Sequence, residues 1–420
     1  MKIAILGAGI SGLTVGRKLS DDGYDVKLFE KLSNPGGLAT TRMTDGYVFD
    51  IYGGHVFNSR HKEIIDWIFE LLPKEKWNFL VRNAKILFKG GLVSYPFELS
   101  LCELPPDDAV NAAYDFILSQ NGEEPVNFRD WLVWNFGRSI ADFYMLPYNS
   151  KIWNYPLEEM GTTWMRGKMP LPEKKEILMS FLMKDPSERK MPHSTFYYPF
   201  KGGIQTMVNA IADNLNIVCN FEINKIIKEN NLWFINDEGP FDYIISTIPL
   251  PVLNRALGDL LPTNIKNAIS DLKYNGLNTF LCKMPTTDIS WMYVPESKYR
   301  MHRMGCQGAL SPYATPGEDS SGVVEIIGDR LTLDDNFIFD EKYVPKDLKL
   351  EKVIDREYTE FAYVIHDKNH TKNTTLIKEY FNEISNFDLL GRFATWNYNN
   401  MDLCMRDAFI LFDKIVKISK

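Results

Sequence analysis

The chain has 420 residues, of which 45% are hydrophobic and 13% aromatic, enough to bury a large core. The formal net charge is −8 without any run of lysine and arginine, which argues against a nucleic-acid partner and an anionic membrane surface. Five scattered cysteines, an odd number without CxxC spacing, argue against a disulfide framework and against a metal site. An apolar run begins directly after Met1, and no stretch is long and apolar enough to cross a bilayer. We therefore expect a cytoplasmic protein without a membrane span.

The first thirty residues predict a β-α-β unit with a dinucleotide-binding turn. Residues 2–6 are an apolar run, a helical pattern follows, and a second apolar run ends at Glu30. In the GxGxxG motif between strand and helix, Gly7 permits the tight turn, Gly9 admits a pyrophosphate to the helix N-terminus, and Gly12 allows close packing. Glu30 stands where a carboxylate accepts hydrogen bonds from ribose hydroxyls. The sequence therefore predicts an α/β protein with a Rossmann-type dinucleotide site.

Further glycines after Glu30 favour FAD over NAD. Lys31 is followed by Gly36-Gly37-Leu38, which would bring a second stretch of backbone against the pyrophosphate. Gly53-Gly54 then precede His55, so that backbone can approach a flat ring with an imidazole beside it. Enclosure of a dinucleotide along its length is typical of a permanently held flavin. We predict FAD as the cofactor.

The remaining pattern predicts three domains. Residues 1–80, 195–260 and 385–420 would form a discontinuous FAD-binding domain, since apolar strands of the parallel type recur in them. Residues 81–194 are mostly helical in pattern and rich in tryptophan, which indicates an inserted helical domain. Residues 261–384 alternate between polar and apolar positions, with prolines at turns, and indicate an antiparallel β-sheet substrate domain that roofs the ligand site.

Four further motifs make the chain resemble the UDP-galactopyranose mutases and related nucleotide-sugar mutases. They are GGHVFN at 53–58, YNSKIW at 148–153, GRF at 391–393 and YNNM at 398–401. That family lies within the amine-oxidase and protoporphyrinogen-oxidase group of flavoproteins. The resemblance implies that the chain interconverts pyranose and furanose forms of a nucleotide sugar through a covalent adduct of the anomeric carbon with N5 of reduced FAD. It leaves open whether the protein forms a homo-oligomer.

The resemblance also implies roles for individual residues. The candidate catalytic residues are His55, Arg303 and two neighbouring cations, Arg166 and Lys168. The candidate substrate-binding residues are Tyr148, Trp153, Arg303, Tyr358, Tyr398 and Asn400. The candidate cofactor-binding residues are Gly7, Gly9, Ser11, Gly12, Glu30, Lys31, Gly37, Leu38, Gly54, His55, Ile223, Arg392 and Met401. Arginine and tyrosine donors suit a departing diphosphate, and a helix beginning at Met401 would stabilise negative charge on reduced flavin.

The chain departs from the family pattern at the expected sugar and diphosphate sites. Strict alignment puts Lys168 where the family has an arginine, with Arg166 nearby, and Asn58 and Asn400 replace a histidine and an acid. These differences leave the identity of the nucleotide and the sugar open. Two other functions also remain open: a flavin oxidase or desaturase acting on an apolar substrate, and a flavin-binding protein without catalysis.

Overall fold

A computed structural model describes residues 1–165, 171–185 and 194–419. Its strands are β1 (Lys2–Leu6), β2 (Asp25–Phe29), β3 (Thr41–Thr44), β4 (Tyr47–Asp50), β5 (Trp77–Val81), β6 (Ala84–Phe88), β7 (Gly91–Ser94), β8 (Thr195–Pro199), β9 (Ile217–Val218), β10 (Ile226–Glu229), β11 (Leu232–Ile235), β12 (Glu238–Phe241), β13 (Tyr243–Ser246), β14 (Lys273–Met284), β15 (Trp291–Tyr293), β16 (Arg303–Gly305), β17 (Ser320–Ile327), β18 (Lys352–Ile365) and β19 (Phe387–Leu389). Its α-helices are α1 (Ile10–Asp21), α2 (Lys62–Leu71), α3 (Pro106–Leu118), α4 (Phe128–Ile140), α5 (Leu146–Trp153), α6 (Lys174–Met183), α7 (Gln205–Ala212), α8 (Leu250–Leu257), α9 (Thr263–Ser270), α10 (His370–Glu383) and α11 (Met401–Ser419).

A five-stranded parallel sheet carries the predicted dinucleotide turn. Its strand order is β19-β13-β1-β2-β9, so strands distant in the chain lie side by side. The central strand β1 is apolar because it is covered on both faces: Ile3 to Leu6 have no exposed surface. Helix α1 packs against α11 from the far end of the chain. This arrangement brings the carboxyl end of β1 close to the last helix.

A second, seven-stranded sheet has the order β18-β14-β17-β16-β15-β6-β7. All of its neighbouring strands are antiparallel except β15 and β6. The predicted fold class, a mixed α/β protein with a Rossmann-type domain and a mostly antiparallel sheet, is confirmed. Residues 226–241 form a separate three-stranded sheet, β10-β11-β12, which was not predicted from the sequence.

Two of the predicted domain boundaries need correction. Residues 84–94, assigned to the helical insert, form β6 and β7 of the seven-stranded sheet. The partner strand of β6 is β15, about two hundred residues away, and local periodicity cannot reveal such a partner. Helices α9 and α10, assigned to the substrate domain, share a core with the parallel sheet, because their buried apolar residues belong to the same hydrophobic cluster as Leu6 and Ile244.

The helical region of the insert consists of α3, α4, α5 and α6. Helix α4 begins at an ordinary cap, since the Asn127 side chain accepts a hydrogen bond from the Asp130 amide at 2.9 Å. Aromatic residues fill the space between these helices and the seven-stranded sheet, as where Tyr148 on α5 meets Tyr293 on β15 at 5.4 Å between ring centroids. No helix within the described ranges is long and apolar enough to cross a membrane.

Candidate functional site

The turn after β1 has a conformation that only glycine accommodates. Gly7 has φ +96°, and a side chain there would place its Cβ 2.6 Å from the Thr247 hydroxyl. A Cβ at Gly12 would lie 2.1 Å from the Gly7 carbonyl oxygen, which is backbone and cannot move aside. Gly9 immediately precedes α1 and brings no side chain to cover the amides of the first turn. The turn therefore presents uncovered helix N–H groups, which are suited to binding phosphate.

Glu30 is fixed at the end of β2 by two backbone amides. Its carboxylate accepts hydrogen bonds from the Ala8 N–H at 2.9 Å and from the Leu32 N–H at 3.0 Å. The side chain is buried yet borders the open cleft beside the turn. The carboxylate thus has a defined orientation toward the space where an adenosine ribose would lie.

The second glycine pair lies directly against the first turn. Gly36 donates its N–H to the Ala8 carbonyl at 2.8 Å, and a Cβ on Gly37 would come within 3.1 Å of the Gly9 Cα. Two stretches of backbone are therefore packed together around the same space. This contact is the enclosure from two sides that the sequence predicted for a tightly held dinucleotide.

A single cleft of about 850 Å³ brings most of the predicted site together. The predicted residues that line it are Gly7, Gly9, Ser11, Glu30, Lys31, Gly37, Leu38, Gly54, His55, Ile223, Arg303, Tyr358, Arg392, Asn400 and Met401. Gly12 lies behind the turn, where its role is packing. Arg166 and Lys168 lie outside the described residues.

Tyr148, Trp153 and Tyr398 stand behind the lining of this cleft rather than in it. Trp153 is 4% exposed and meets the Tyr398 ring edge-on at 5.8 Å. Tyr148 packs edge-on against Tyr293, which does line the cleft. In this arrangement the three aromatic residues pack behind the residues that line the cleft, and their direct contact with a substrate remains a prediction.

His55 follows Gly54 in the lining of the cleft, and its imidazole is neutral. Its Nε2 is buried, with no hydrogen-bond partner among the described residues. Burial, reinforced by the charges of Arg392 and Arg303, lowers the pKa of His55 to about 3. At neutral pH the ring therefore offers a neutral donor or acceptor to a ligand, not a positive charge.

Arg303 is held by a two-point ion pair. Its Nε and Nη2 donate to the two carboxylate oxygens of Glu325 at 2.9 and 2.7 Å, and Glu325 has no exposed surface. Burial opposes the charge on Arg303, but Glu325 and the nearby tyrosines outweigh it, so the pKa of Arg303 stands well above its ordinary value. The guanidinium is permanently charged and fixed in orientation, with part of its charge already balanced by Glu325.

Arg392 organises the turn that leads into α11. It donates to the Asn399 carbonyl at 2.9 and 2.6 Å and stacks over the Tyr398 ring at 4.8 Å. Asn400 and Met401 follow, so the N-terminus of α11 opens on the cleft. The positive end of this helix dipole favours a negatively charged group there.

The cleft is also lined by residues that were not predicted from the sequence. Arg82, Phe196, Trp291 and Tyr293 line the wall near His55, and Arg330 stacks over the Tyr358 ring at 4.9 Å. None of these residues belongs to a local motif. Their only signal in the sequence was an arginine or an aromatic residue in or near a strand, which is too common to single out.

The fold and the cleft define a dinucleotide-binding α/β protein with a second, mostly antiparallel sheet over the binding site. The family model of the NAD(P)-binding Rossmann-like domain matches residues 5–71. A probable UDP-galactopyranose mutase of Klebsiella pneumoniae is 26% identical over 235 residues, 51% of this chain and 54% of that protein. The chain thus matches about half the length of that relative.

Two other comparisons extend over the whole chain. A dTDP-fucopyranose mutase of Escherichia coli is 20% identical, and the match covers 100% of this chain and 99% of that protein. The crystal structure of a reduced UDP-galactopyranose mutase superimposes with a TM-score of 0.87 at 24% identity, and the match covers 99% of this chain and 96% of the chain in that structure. The resemblance to nucleotide-sugar mutases that the motifs indicated is confirmed by the sequence relatives, and the solved structure shows that the fold is shared.

Proposed function

We propose that this chain is a nucleotide-sugar mutase that interconverts pyranose and furanose forms with the help of reduced FAD. The observation that carries the proposal is the continuity of the cleft: it begins at the dinucleotide turn, passes His55 and reaches Arg303 and Tyr358 without a break. A flavin and a phosphate-bearing substrate can therefore meet in one space. The names of the sequence relatives support the same reading.

The residues present suit FAD along its length. The turn at Gly7 and the backbone contact of Gly9 with Gly37 form a cradle in which a Cβ would collide or crowd the space, as expected beside a pyrophosphate. Glu30 is oriented for ribose hydroxyls. At the other end, the N-terminus of α11 at Met401 is suited to the negative charge of a reduced flavin.

Reduced FAD, when bound, would supply a nucleophilic nitrogen, N5, to the anomeric carbon of the sugar. The tasks of the chain itself are to hold the departing diphosphate, to orient the sugar and to exclude water. Arg303 and Tyr358 provide donors for phosphate oxygens, and His55 provides a neutral hydrogen-bonding group near the sugar. Arg166 or Lys168 would add a further cation, as the resemblance implies.

The substrate class follows from this donor set, whereas the particular sugar and nucleotide do not. An anionic leaving group requires local positive charge in a chain of net charge −8, and Arg82, Arg303 and Arg330 gather in one cleft. Asn58 and Asn400 also line the cleft, at two positions where the sequence departs from the family pattern. We propose that these departures adapt the site to a substrate other than UDP-galactose.

The rival function, oxidation or desaturation of an apolar substrate, calls for an apolar tunnel. The arginines that line the cleft oppose it, because each charged group buried against an apolar substrate would carry an uncompensated desolvation cost. The experiment that separates the two functions uses dithionite-reduced and air-oxidised protein with a panel of UDP- and dTDP-sugars. Furanose product formed only by the reduced protein supports the mutase, whereas steady oxygen consumption with release of peroxide would support the oxidase.

A further inference from the structure

One residue of the YNSKIW motif has no task in the mechanism above. Lys151 lies on α5 between Tyr148 and Trp153, the two residues of the motif to which the resemblance gives a role. Like them, it stands behind the lining of the cleft. A lysine is almost never kept from water unless its charge is paired or solvated by polar groups, so the contacts of Lys151 indicate what it does.

The Lys151 ammonium holds both strands of the β15–β16 hairpin. Its Nζ donates to the Val294 carbonyl at 2.7 Å and to the Met301 carbonyl at 2.9 Å. Val294 directly follows β15, and Met301 lies two residues before β16. Between them the Val294 N–H donates to the His302 carbonyl at 2.9 Å, which closes the hairpin at the same level. One side chain of α5 therefore fixes the position of this hairpin.

The hairpin carries two residues of the cleft next to the carbonyls that Lys151 binds. Tyr293 ends β15 and Arg303 begins β16, the two are partners in the strand register, and both line the cleft. Tyr148 lies three residues before Lys151, on the same side of α5, and packs edge-on against Tyr293 at 5.4 Å. Helix α5 thus touches the hairpin through an aromatic ring and a charge side by side. A shift of α5 against the hairpin would displace the Arg303 guanidinium.

The charge of Lys151 is kept against the effect of burial. Burial lowers the pKa of Lys151 to about 7, although the charge of Glu296 opposes this shift. Between about pH 7 and 10.5 the unfolded chain therefore binds a proton that the folded protein lacks, so the charged lysine costs stability. A residue that costs stability and yet contacts the cleft hairpin is a candidate for a role in binding.

The elements packed against Lys151 carry further charged or titratable side chains, which are Tyr148 on α5, Glu296, Lys298, His302 and Arg303 on the hairpin, and Glu325 on β17. Burial holds the pKa of His302 well below its ordinary value and that of Tyr148 well above it, so neither ring changes charge near pH 7. Arg303 stays charged beside Glu325. The contribution of Lys151 is the part of a pH dependence that its replacement removes.

We propose that Lys151 is a positioning residue, whose ammonium locks α5 to the β15–β16 hairpin and thereby holds Arg303 and Tyr293 in place for the substrate diphosphate. This inference rests on the proposed function and adds a residue to the same site. A charged donor binds a carbonyl more strongly than a neutral amine does, so the protonated form should hold the hairpin more firmly. An anionic diphosphate at Arg303 also favours the protonated form. Nucleotide binding should therefore take up a proton where Lys151 is partly neutral.

The test measures binding of UDP and dTDP to oxidised, flavin-loaded protein by calorimetry between pH 7 and 9, in two buffers that differ in ionisation enthalpy. We expect the parent to take up part of a proton at pH 8 and to lose about tenfold in affinity from pH 7 to 9, the difference between a charged and a neutral hydrogen bond. Lys151→Met should bind about tenfold more weakly at pH 7 and lose the proton uptake. Lys151→Arg should bind at pH 9 as it does at pH 7, because a guanidinium stays charged.

Lys174→Met is the matched control. Lys174 on α6 also donates to two backbone carbonyls, those of Ile117 and Ser119 at 2.8 and 2.6 Å, within the helical insert. Its replacement removes the same kind of contact at a place that does not adjoin the β15–β16 hairpin. Lys174→Met should therefore match the parent in nucleotide affinity and in proton uptake.

Parental affinity in Lys151→Met, or a parent that takes up no proton at pH 8, would overturn the inference and leave the mutase proposal intact. A weaker Lys151→Met that keeps the parental pH dependence would also overturn it, because Lys151 would then act only on the fold. If the flavin-loaded parent binds neither nucleotide, both the proposed function and this inference are wrong. Flavin content reports on folding, and if Lys151→Met fails to fold, the pH dependence of Lys151→Arg decides.

Discussion

Replacing Arg303 by methionine should destabilise the protein in a pH-dependent manner. The substitution keeps most of the side-chain volume but leaves Glu325, which has no exposed surface, without its partner. Removing one member of a buried ion pair costs about 3–5 kcal/mol, because the remaining charge is desolvated and uncompensated. His302 lies 3.8 Å from the same carboxylate but adds no fixed charge, because the largest cause that holds its pKa well below the ordinary value is burial, which the substitution leaves in place.

The pH dependence follows from Glu325. Burial raises the pKa of Glu325 above its ordinary value of 4.5 even with Arg303 beside it, so loss of Arg303 must raise it further. The folded variant then holds a proton that the unfolded chain releases above about pH 4.5. The free energy of unfolding of Arg303→Met should therefore fall as pH rises from 4.5 toward the raised pKa, and the defect should be small at pH 4.

The assay is urea unfolding of the parent and the variant between pH 4 and pH 8. The double variant Arg303→Met, Glu325→Gln is the matched control, because it removes both charges and should lose the steep pH dependence. Arg303→Met should also bind nucleotide about tenfold to a hundredfold more weakly, with unchanged flavin content, if it donates to the diphosphate. A variant as stable as the parent at pH 7.5, or a pH slope that persists in the double variant, would refute the role assigned to this ion pair.

Three further predictions concern the cofactor end of the cleft. The protein should purify yellow and release FAD on denaturation. Gly12→Val should be colourless, because the new Cβ would collide with the Gly7 carbonyl oxygen. Gly161→Ala is the control, since nothing lies within contact distance of a Cβ at that position. Activity should require reduced flavin without consuming reductant, and flavin extracted after cyanoborohydride treatment should carry the mass of the sugar; unmodified flavin during active turnover would contradict this. The pKa of His55 is lowered from 6.5 to about 3, so the unfolded chain binds a proton that the folded protein does not. The free energy of unfolding should therefore fall by about 1.4 kcal/mol per pH unit as the pH drops from 6.5 toward 3. His55→Gln should weaken this acid sensitivity in urea titrations, and an unchanged profile would show that the ring is solvated.

The cofactor end could be predicted from sequence because its determinants are local. The turn at Gly7, the acid at Glu30 and the second glycine pair at Gly36 lie within thirty residues of one another. Their spacing is set by one β-α-β unit, in which strand, turn and helix follow in order. The structure brings these groups together: the Gly36 N–H donates to the Ala8 carbonyl, and the Glu30 carboxylate accepts from the Ala8 N–H.

The wall of the cleft near His55 could not be predicted in the same way. Arg82 and Trp291 are about two hundred residues apart and meet only because β6 pairs with β15 across the seven-stranded sheet. The same pairing moved residues 84–94 out of the predicted helical insert. Trp153, which the resemblance places at the substrate, is a buried side chain behind the lining of the cleft, and its contact with a substrate stays a prediction.

The sequence by itself determined the α/β class, the dinucleotide turn and the resemblance to nucleotide-sugar mutases, because each of these depends on residues close together in the chain or on motifs in a fixed order. Only the tertiary structure decided which arginines share the cleft, that Arg303 is balanced by Glu325, and that Arg82 stands on an aromatic wall. The physical reason is that charge balance and burial depend on what packs around a side chain. Those neighbours come from strands whose pairing no local pattern encodes.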